Sequence, residues 1–255
     1  SQVQIHNSEF LLTDENLNNP KVLDFHELNL SASDFLILGV DVKAAINSLS
    51  FKDTRGAEIQ NLQSNFSYSL TQMNFEQLEI KSANSSLLGQ IQFDYDRKDF
   101  KDFLEKVKIS GFFKNSNLDL EELNVFYDEF GSNQKAILNT VFSGTLNDLS
   151  LQDFYLNTNQ NTLIDGKIQF KNLFNVTMDN FEMDGSFRNI SSTYGDLKAI
   201  LPRVLGNNIP TSISGLGRFE MQGTSLIYHK SELKIQIIDA LHNISRELEE
   251  VVIED

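Results

Sequence analysis

The chain has 255 residues, no Cys, no Trp, 3 Pro and 13 Gly, with 40% hydrophobic and 22% charged residues and a formal net charge of −15. That length accommodates one large or two ordinary domains, and the apolar content supports a packed core rather than wholesale disorder. The absence of Cys removes disulfide scaffolds, thiolate metal sites and Cys nucleophiles, and the negative charge argues against nucleic acid and anionic membrane surfaces as partners.

The chain opens Ser1-Gln2-Val3-Gln4-Ile5, without Met or a basic-then-apolar leader, and reads as an internal piece of a longer protein. Its longest apolar run, Phe35-Leu36-Ile37-Leu38-Gly39-Val40, falls far short of the roughly 18 apolar residues that a membrane span needs. Most of the chain alternates with period two, as in Val3/Ile5, Val40/Val42, Ile91/Phe93/Tyr95, Ile109/Gly111/Phe113, Ile168/Phe170 and Phe219/Met221. Alternation of this kind marks strands with one wet and one apolar face. The 20 Phe and the abundant Asn and Ser fit short strands joined by turns.

A local pattern recurs in which apolar positions step by three and then by two: Phe25/Leu28/Leu30, Ile46/Leu49/Phe51, Phe75/Leu78/Ile80, Leu151/Phe154/Leu156 and Met178/Phe181/Met183. A strict strand would lose phase at the three-residue step. One extra residue, a β-bulge, returns the apolar positions to a common face, so the repeats predict bulged strands. Two copies extend into similar hairpins, Phe75 to Phe93 and Leu151 to Phe170, which align with Asp165 as an inserted residue and share Gly-x-Ile-Gln-Phe.

Helical spacing is sparse. It predicts a short helix through Phe100, Phe103, Leu104 and Val107 after a cap at Asp99. A second prediction covers Ser116 to Phe130 through Leu120, Leu123, Tyr127 and Phe130, although Leu123/Val125 fits a strand equally. A third covers Asp196 to Leu205, kinked or ended early by Pro202. From Ser231 the apolar positions Leu233, Ile237, Leu241, Ile244, Leu248 and Val251 step by four and three. They predict an amphipathic helix over 229–255, acting either as a lid on the sheet's open end or as a seam for self-association. The predicted division is therefore 1–228 and 229–255.

The search for catalytic chemistry is negative. His6, His26, His229 and His242 have no metal-ligand spacing. Asp94-Tyr95-Asp96 begins like a calcium loop, but Asp99 stands where that loop needs Gly, so it reads as a solvated acidic turn. Gly215-Leu216-Gly217 lacks the third Gly of a dinucleotide loop. Ser132 with Lys135, and Ser231 with Lys234, match Ser-x-x-Lys without its partner motifs. Carboxylates are many but scattered. No catalytic group, metal or cofactor is expected, and the repeated apolar face remains as the functional feature.

At this point the order of segments resembles the TamB branch of the AsmA-like envelope proteins, in its Bacteroidetes-type form. Leu49-Ser50-Phe51-Lys52 followed by the Gly-started strand Gly56 to Leu62 resembles that family, as does the hairpin from Leu78 to Gly89. Asp119-Leu120 and Asp196-Leu197-Lys198-Ala199-Ile200-Leu201-Pro202 resemble its short helices, and Ile209-Pro210, Leu216-Gly217 and Gly223 a lead into the next β repeat. The likeness spans roughly residues 1–228, and the helix expected beyond it departs from the pattern.

The resemblance implies a mainly β protein, with a long antiparallel sheet curled into an open, taco-like apolar groove and few short helices. It implies a non-enzymatic periplasmic conduit, anchored elsewhere in the inner membrane, that holds phospholipid acyl chains and works with an outer-membrane β-barrel partner in envelope biogenesis. The groove would be lined by Phe25, Leu28, Leu30, Phe75, Leu78, Ile80, Ile91, Phe93, Leu151, Phe154, Leu156, Ile168, Phe170, Phe181 and Met183. Two other readings stay open on the residues: a carbohydrate-active enzyme on a parallel β-helix, against which the uneven repeat spacing tells, and a closed β-sandwich binding or adhesin-like module.

Overall fold

Alternation between polar and apolar residues produces strands along almost the whole chain. The computed structural model describes residues 1–13, 21–54, 56–125, 130–173, 181–202, 214–215, 217–229, 232–236, 239–241 and 251–253. The chain divides into two units, Ser1–Ser116 and Asn117–Asp255.

In the first unit β1 (Val3–Thr13), β2 (Lys21–Leu38), β3 (Asp41–Asp53), β4 (Glu58–Tyr68), β5 (Gln72–Lys81) and β6 (Ser86–Asp94) each pair antiparallel with the next. A 3-10 turn (Arg97–Asp102) and α1 (Phe103–Lys106) lead to β7 (Lys108–Asp119), which lies beside β6 and continues past the unit boundary. In the second unit a 3-10 turn (Leu120–Val125) precedes β8 (Lys135–Thr145), β9 (Asp148–Thr158), β10 (Leu163–Lys171) and β11 (Glu182–Thr193). After α2 (Tyr194–Ile200) come β12 (Arg218–His229), β13 (Glu232–Gln236), β14 (Asp239–Leu241) and β15 (Val251–Ile253). The pairs β8–β9, β9–β10, β10–β11, β11–β12, β12–β13, β12–β14 and β13–β15 are all antiparallel. Each unit is thus an open antiparallel sheet of sequential hairpins with few short helices. A parallel β-helix is overturned by this pairing, because its coils pair in parallel.

The bulges fall where the three-residue steps place them. The register shifts between His26 and Asn29, between Ile46 and Leu49, between Phe75 and Leu78, and between the partners of Leu151 and Phe154. In two of these bulges the extra residue takes a left-handed backbone, Glu27 at φ 52° and Gln77 at φ 50°. The fifth repeat begins at Met178, outside the described residues. Both hairpins form, closed by Ser82 donating its backbone N–H to Ser85 O and by Thr158 donating to Thr162 O.

The helical segments differ in their bounds from the predicted ones. The first begins earlier, after Asp96 rather than Asp99, and the Asp99 carboxylate accepts the Asp96 backbone N–H at 2.9 Å. Of Ser116 to Phe130, residues 116–119 belong to β7, the 3-10 turn Leu120–Val125 is helical, and 126–129 lie outside the described residues. α2 begins at Tyr194 with Thr193 as its cap, its hydroxyl accepting from Asp196 N, and stops at Ile200. Pro202 explains that stop, since it pushes the preceding residue out of helical backbone.

The helix predicted over 229–255 falls largely on residues outside the description, Ile237, Ile244 and Leu248 among them; the described segments there are three short strands. Glu232–Gln236 pairs with Ser225 to His229 of β12, Asp239–Leu241 pairs with Glu220 to Gln222, and Val251–Ile253 pairs with Leu233 to Ile235. The remaining residues there lie outside the description. Leu233 and Ile235 also alternate with period two, and β12 presents an edge whose backbone groups accept a new strand.

Candidate functional site

Residues directly opposite each other in an antiparallel pair share a face. In the first unit one cross-strand row runs Ile5, Leu30, Leu49, Leu62, Ile80 and Leu87 from β1 to β6, without a polar interruption. Parallel rows join Ala44, Phe66, Phe75 and Ile91, and Ile37, Val42, Tyr68, Met73 and Phe93. The predicted residues Phe25, Leu28, Leu30, Phe75, Leu78, Ile80, Ile91 and Phe93 all lie on this face, because the bulges at Glu27 and Gln77 restore the phase.

Aromatic rings pack side by side along it. Phe25 and Phe51 have ring centroids 4.2 Å apart, Phe66 and Phe75 5.1 Å, and Phe75 and Phe93 6.4 Å. Leu78 is buried, at 2% exposure, whereas the other seven predicted residues are only half-buried. Within this unit no second layer of sheet covers the face among the described residues. Phe100 and Phe103 cover only the end beside β6, against Tyr95 and Phe93 at 4.6 and 6.2 Å.

The second unit repeats the arrangement. One row runs Leu138, Leu156, Ile164, Ile190 and Met221; another runs Leu149, Phe170 and Met183. Leu151, Phe154, Leu156, Ile168, Phe170 and Met183 share this face, and Phe181 stacks its ring on Phe170 at 6.2 Å. Here the face closes further. Leu156 and Ile168 are buried, Leu120 and Ile200 pack with Leu156 and Ala136 at one end, and the Phe187 ring lies over Gly166 and Gly185.

The lining expected from the sequence left out Leu49, Leu62, Phe66 and Leu87 in the first unit, and Leu138, Ile164, Phe187 and Ile190 in the second. Each carries the alternation signal, but its membership of a row depends on register.

The opposite faces are mostly polar, with Leu88, Ile137 and Tyr155 among the exposed exceptions. Lys52 pairs with Glu27 at 2.7 Å, and this contact lowers the Glu27 carboxyl and raises the Lys52 ammonium from their ordinary values. Arg188, in the bulge of β11, clasps the carboxylate of Asp165, which assigns a role to the residue inserted in the second hairpin. The strongest perturbation is at Tyr95, pushed up to about 12 by burial and then by the neighbouring Tyr68. Its hydroxyl donates to Ser69 O at 3.1 Å, a structural bond at the end of the face.

A shallow depression of about 370 Å³ lies over the β5 bulge, bounded by Gln77, Glu79, Leu88, Phe112, Lys114 and Asn115. Its one carboxylate, Glu79, already pairs with Lys81 at 2.7 Å. Asp94, of the calcium-like triplet, accepts from Gln72 and Gln92. Among the described residues no group of three or more His, Cys, Asp or Glu converges as a metal site, and no helix is long and apolar enough to cross a membrane. The chemistry these faces offer is apolar contact. No protein-family model, curated protein or solved structure matches the chain.

Proposed function

We propose that the chain is a non-enzymatic segment of an envelope lipid conduit, akin to the TamB branch of AsmA-like proteins, that holds phospholipid acyl chains against its apolar sheet faces. The observation that carries this reading is the row Ile5, Leu30, Leu49, Leu62, Ile80 and Leu87, apolar across six strands and without a covering layer among the described residues of its unit. An acyl chain contributes about 0.8 kcal/mol per buried CH₂, so a continuous apolar surface holds it out of water without specific polar contacts. Uniform contact of this kind also lets the chain slide, because no position along it is much better than the next. The reading places the protein in the periplasm, between an inner-membrane anchor outside this sequence and an outer-membrane β-barrel partner.

Organic extraction of the purified protein followed by mass spectrometry tests it, with co-purifying phospholipid as the expected result. Photo-crosslinking residues at Leu30 and Phe75 should capture lipid, whereas one at Gln92, on the opposite face, should not. Lipid-free protein, or equal capture at all three positions, would overturn the reading.

A further inference from the structure

One row of the first unit's apolar face is buried although no second layer of sheet lies over it among the described residues. It runs Val3, Ala32, Ile46, Ser64, Leu78 and Gly89 from β1 to β6, with Ser64 facing the bulge of β5. Ala32, Ser64 and Leu78 are 4%, 6% and 2% exposed, whereas Leu30, Leu62, Phe66 and Phe75 in the rows on either side are half-buried. A middle row of a single sheet is buried in this way when the rows beside it lean together, so the sheet is bent along this line.

The bend has a local cause. β3 carries an extra residue between Ile46 and Leu49, and β5 one between Phe75 and Leu78, both beside this row. A bulge bends its strand and disrupts the ladder of backbone bonds there. Side chains take over the linking. The Ser64 hydroxyl donates to Glu76 O at 2.9 Å, and the Asn65 amide donates to the Gln77 side-chain oxygen at 3.0 Å. On β7 the Ser116 hydroxyl accepts the Leu88 N–H at 2.9 Å, next to Asn115 at φ 49°. A hydroxyl turns about its own bond, so such a link yields with less backbone movement than a ladder bond does.

We infer that this line is a hinge, about which the first unit's sheet opens locally, well short of unfolding, and bares the row from Ala32 to Gly89. On either side of it the pairing is regular, Leu62 with Ile80 and Phe66 with Phe75, so the sheet moves as two flaps joined at the bulges. Local opening draws on the places where regular backbone bonding is thinnest. The motion belongs to the sheet whatever its face carries, and it stands or falls apart from the lipid reading.

The chain contains no Cys, so a single introduced thiol reports without background. Ala32→Cys places one in the hinge row. Ile109→Cys, at 8% exposure near the start of β7, places one in the same unit outside that row. Static exposure alone would favour reaction at Ile109→Cys. The hinge predicts the reverse: in native conditions Ala32→Cys should react with a maleimide at least tenfold faster. Its rate should stay nearly flat in low urea, as a small local opening requires, while that of Ile109→Cys rises steeply. Deleting Gln77 removes the extra residue of β5 and leaves Phe75, Leu78 and Ile80 in strict alternation. It should slow labelling of Ala32→Cys at least tenfold. Equal rates at the two thiols, rates that climb in parallel with urea, or undiminished labelling in a deletion variant with the parent's circular dichroism would each overturn the inference. Where the deletion does not fold, the urea dependence of the two thiols decides alone.

Discussion

The two units present the same kind of surface in two degrees of closure. In residues 1–116 the apolar face keeps large side chains such as Leu30, Phe66, Phe75 and Phe93 half exposed; apart from Ala32 and Leu78, the buried apolar groups among the described residues lie near one end, at Tyr95, Phe103, Val107 and Ile109. In residues 117–255 the face is gathered into two cores, Leu120, Ala136, Leu156 and Ile200 in one and Ile168, Phe187 and Ile190 in the other. Two devices account for the difference. The Leu120–Val125 turn and α2 bring Leu120 and Ile200 onto the second face. Glycines at 166 and 185 leave gaps that the Phe187 ring fills. An open sheet face closes, then, when small residues admit an aromatic ring and a short helix reaches its end.

The largest effect should separate the units directly. Phe187→Ala removes a ring with 6% exposure and empties the space over Gly166 and Gly185. It should cost about 3–5 kcal/mol in urea unfolding, with a cavity left behind. Phe75→Ala removes a half-buried ring and should cost about 1–2 kcal/mol, since water already reaches part of it. Equal losses would break the comparison.

A close approach between strands sharpens it next. A methyl group on Gly89 would overlap the carbonyl oxygen of Phe112, a backbone atom that cannot swing aside. Gly89→Ala should destabilise by about 2–4 kcal/mol and lower the melting temperature of the first unit. A neutral substitution would show that the sheet shifts there at little cost.

Tyr95 gives a pH test confined to the first unit. Its folded-state pKa is raised to about 12 from an ordinary 10 because burial disfavours the phenolate. The native state therefore holds that proton more tightly than the unfolded chain. The stabilisation is fully present below pH 10 and is lost as pH rises toward 12, on the order of 2 kcal/mol. Denaturant midpoints measured across this window should fall for the parent and fall less for Tyr95→Phe. Parallel pH profiles would remove Tyr95 as the cause.

The smallest effect concerns the short helix that closes the second face. Thr193→Ala removes the cap on Asp196 N and should cost about 1 kcal/mol. It should also speed amide exchange at the backbone N–H groups of Leu197 to Ile200. Unchanged exchange would mean that packing of Ile200, not the cap, holds α2.

Local pattern determined the strands, their apolar sides and four of the repeated bulges. Alternation and a three-residue step are properties of adjacent residues, and a pleated backbone translates them into a face whatever its neighbours are. The apolar residues named from the sequence accordingly fall on shared faces within their units. Pro202 similarly fixed where α2 ends, through a steric effect on the residue before it. Tertiary structure decided what depends on distant partners. Register assembled Leu30, Leu49, Leu62 and Ile80 into one row, and the bulge at Arg188 placed its guanidinium on Asp165. Cover by Phe187 and Ile200 made one face more closed than the other. The stretch after His229 shows why: its apolar spacing fits a helix, while Leu233 and Ile235 alternate as a strand does. The described strands there pair with the edge of β12, a partner that spacing alone does not reveal.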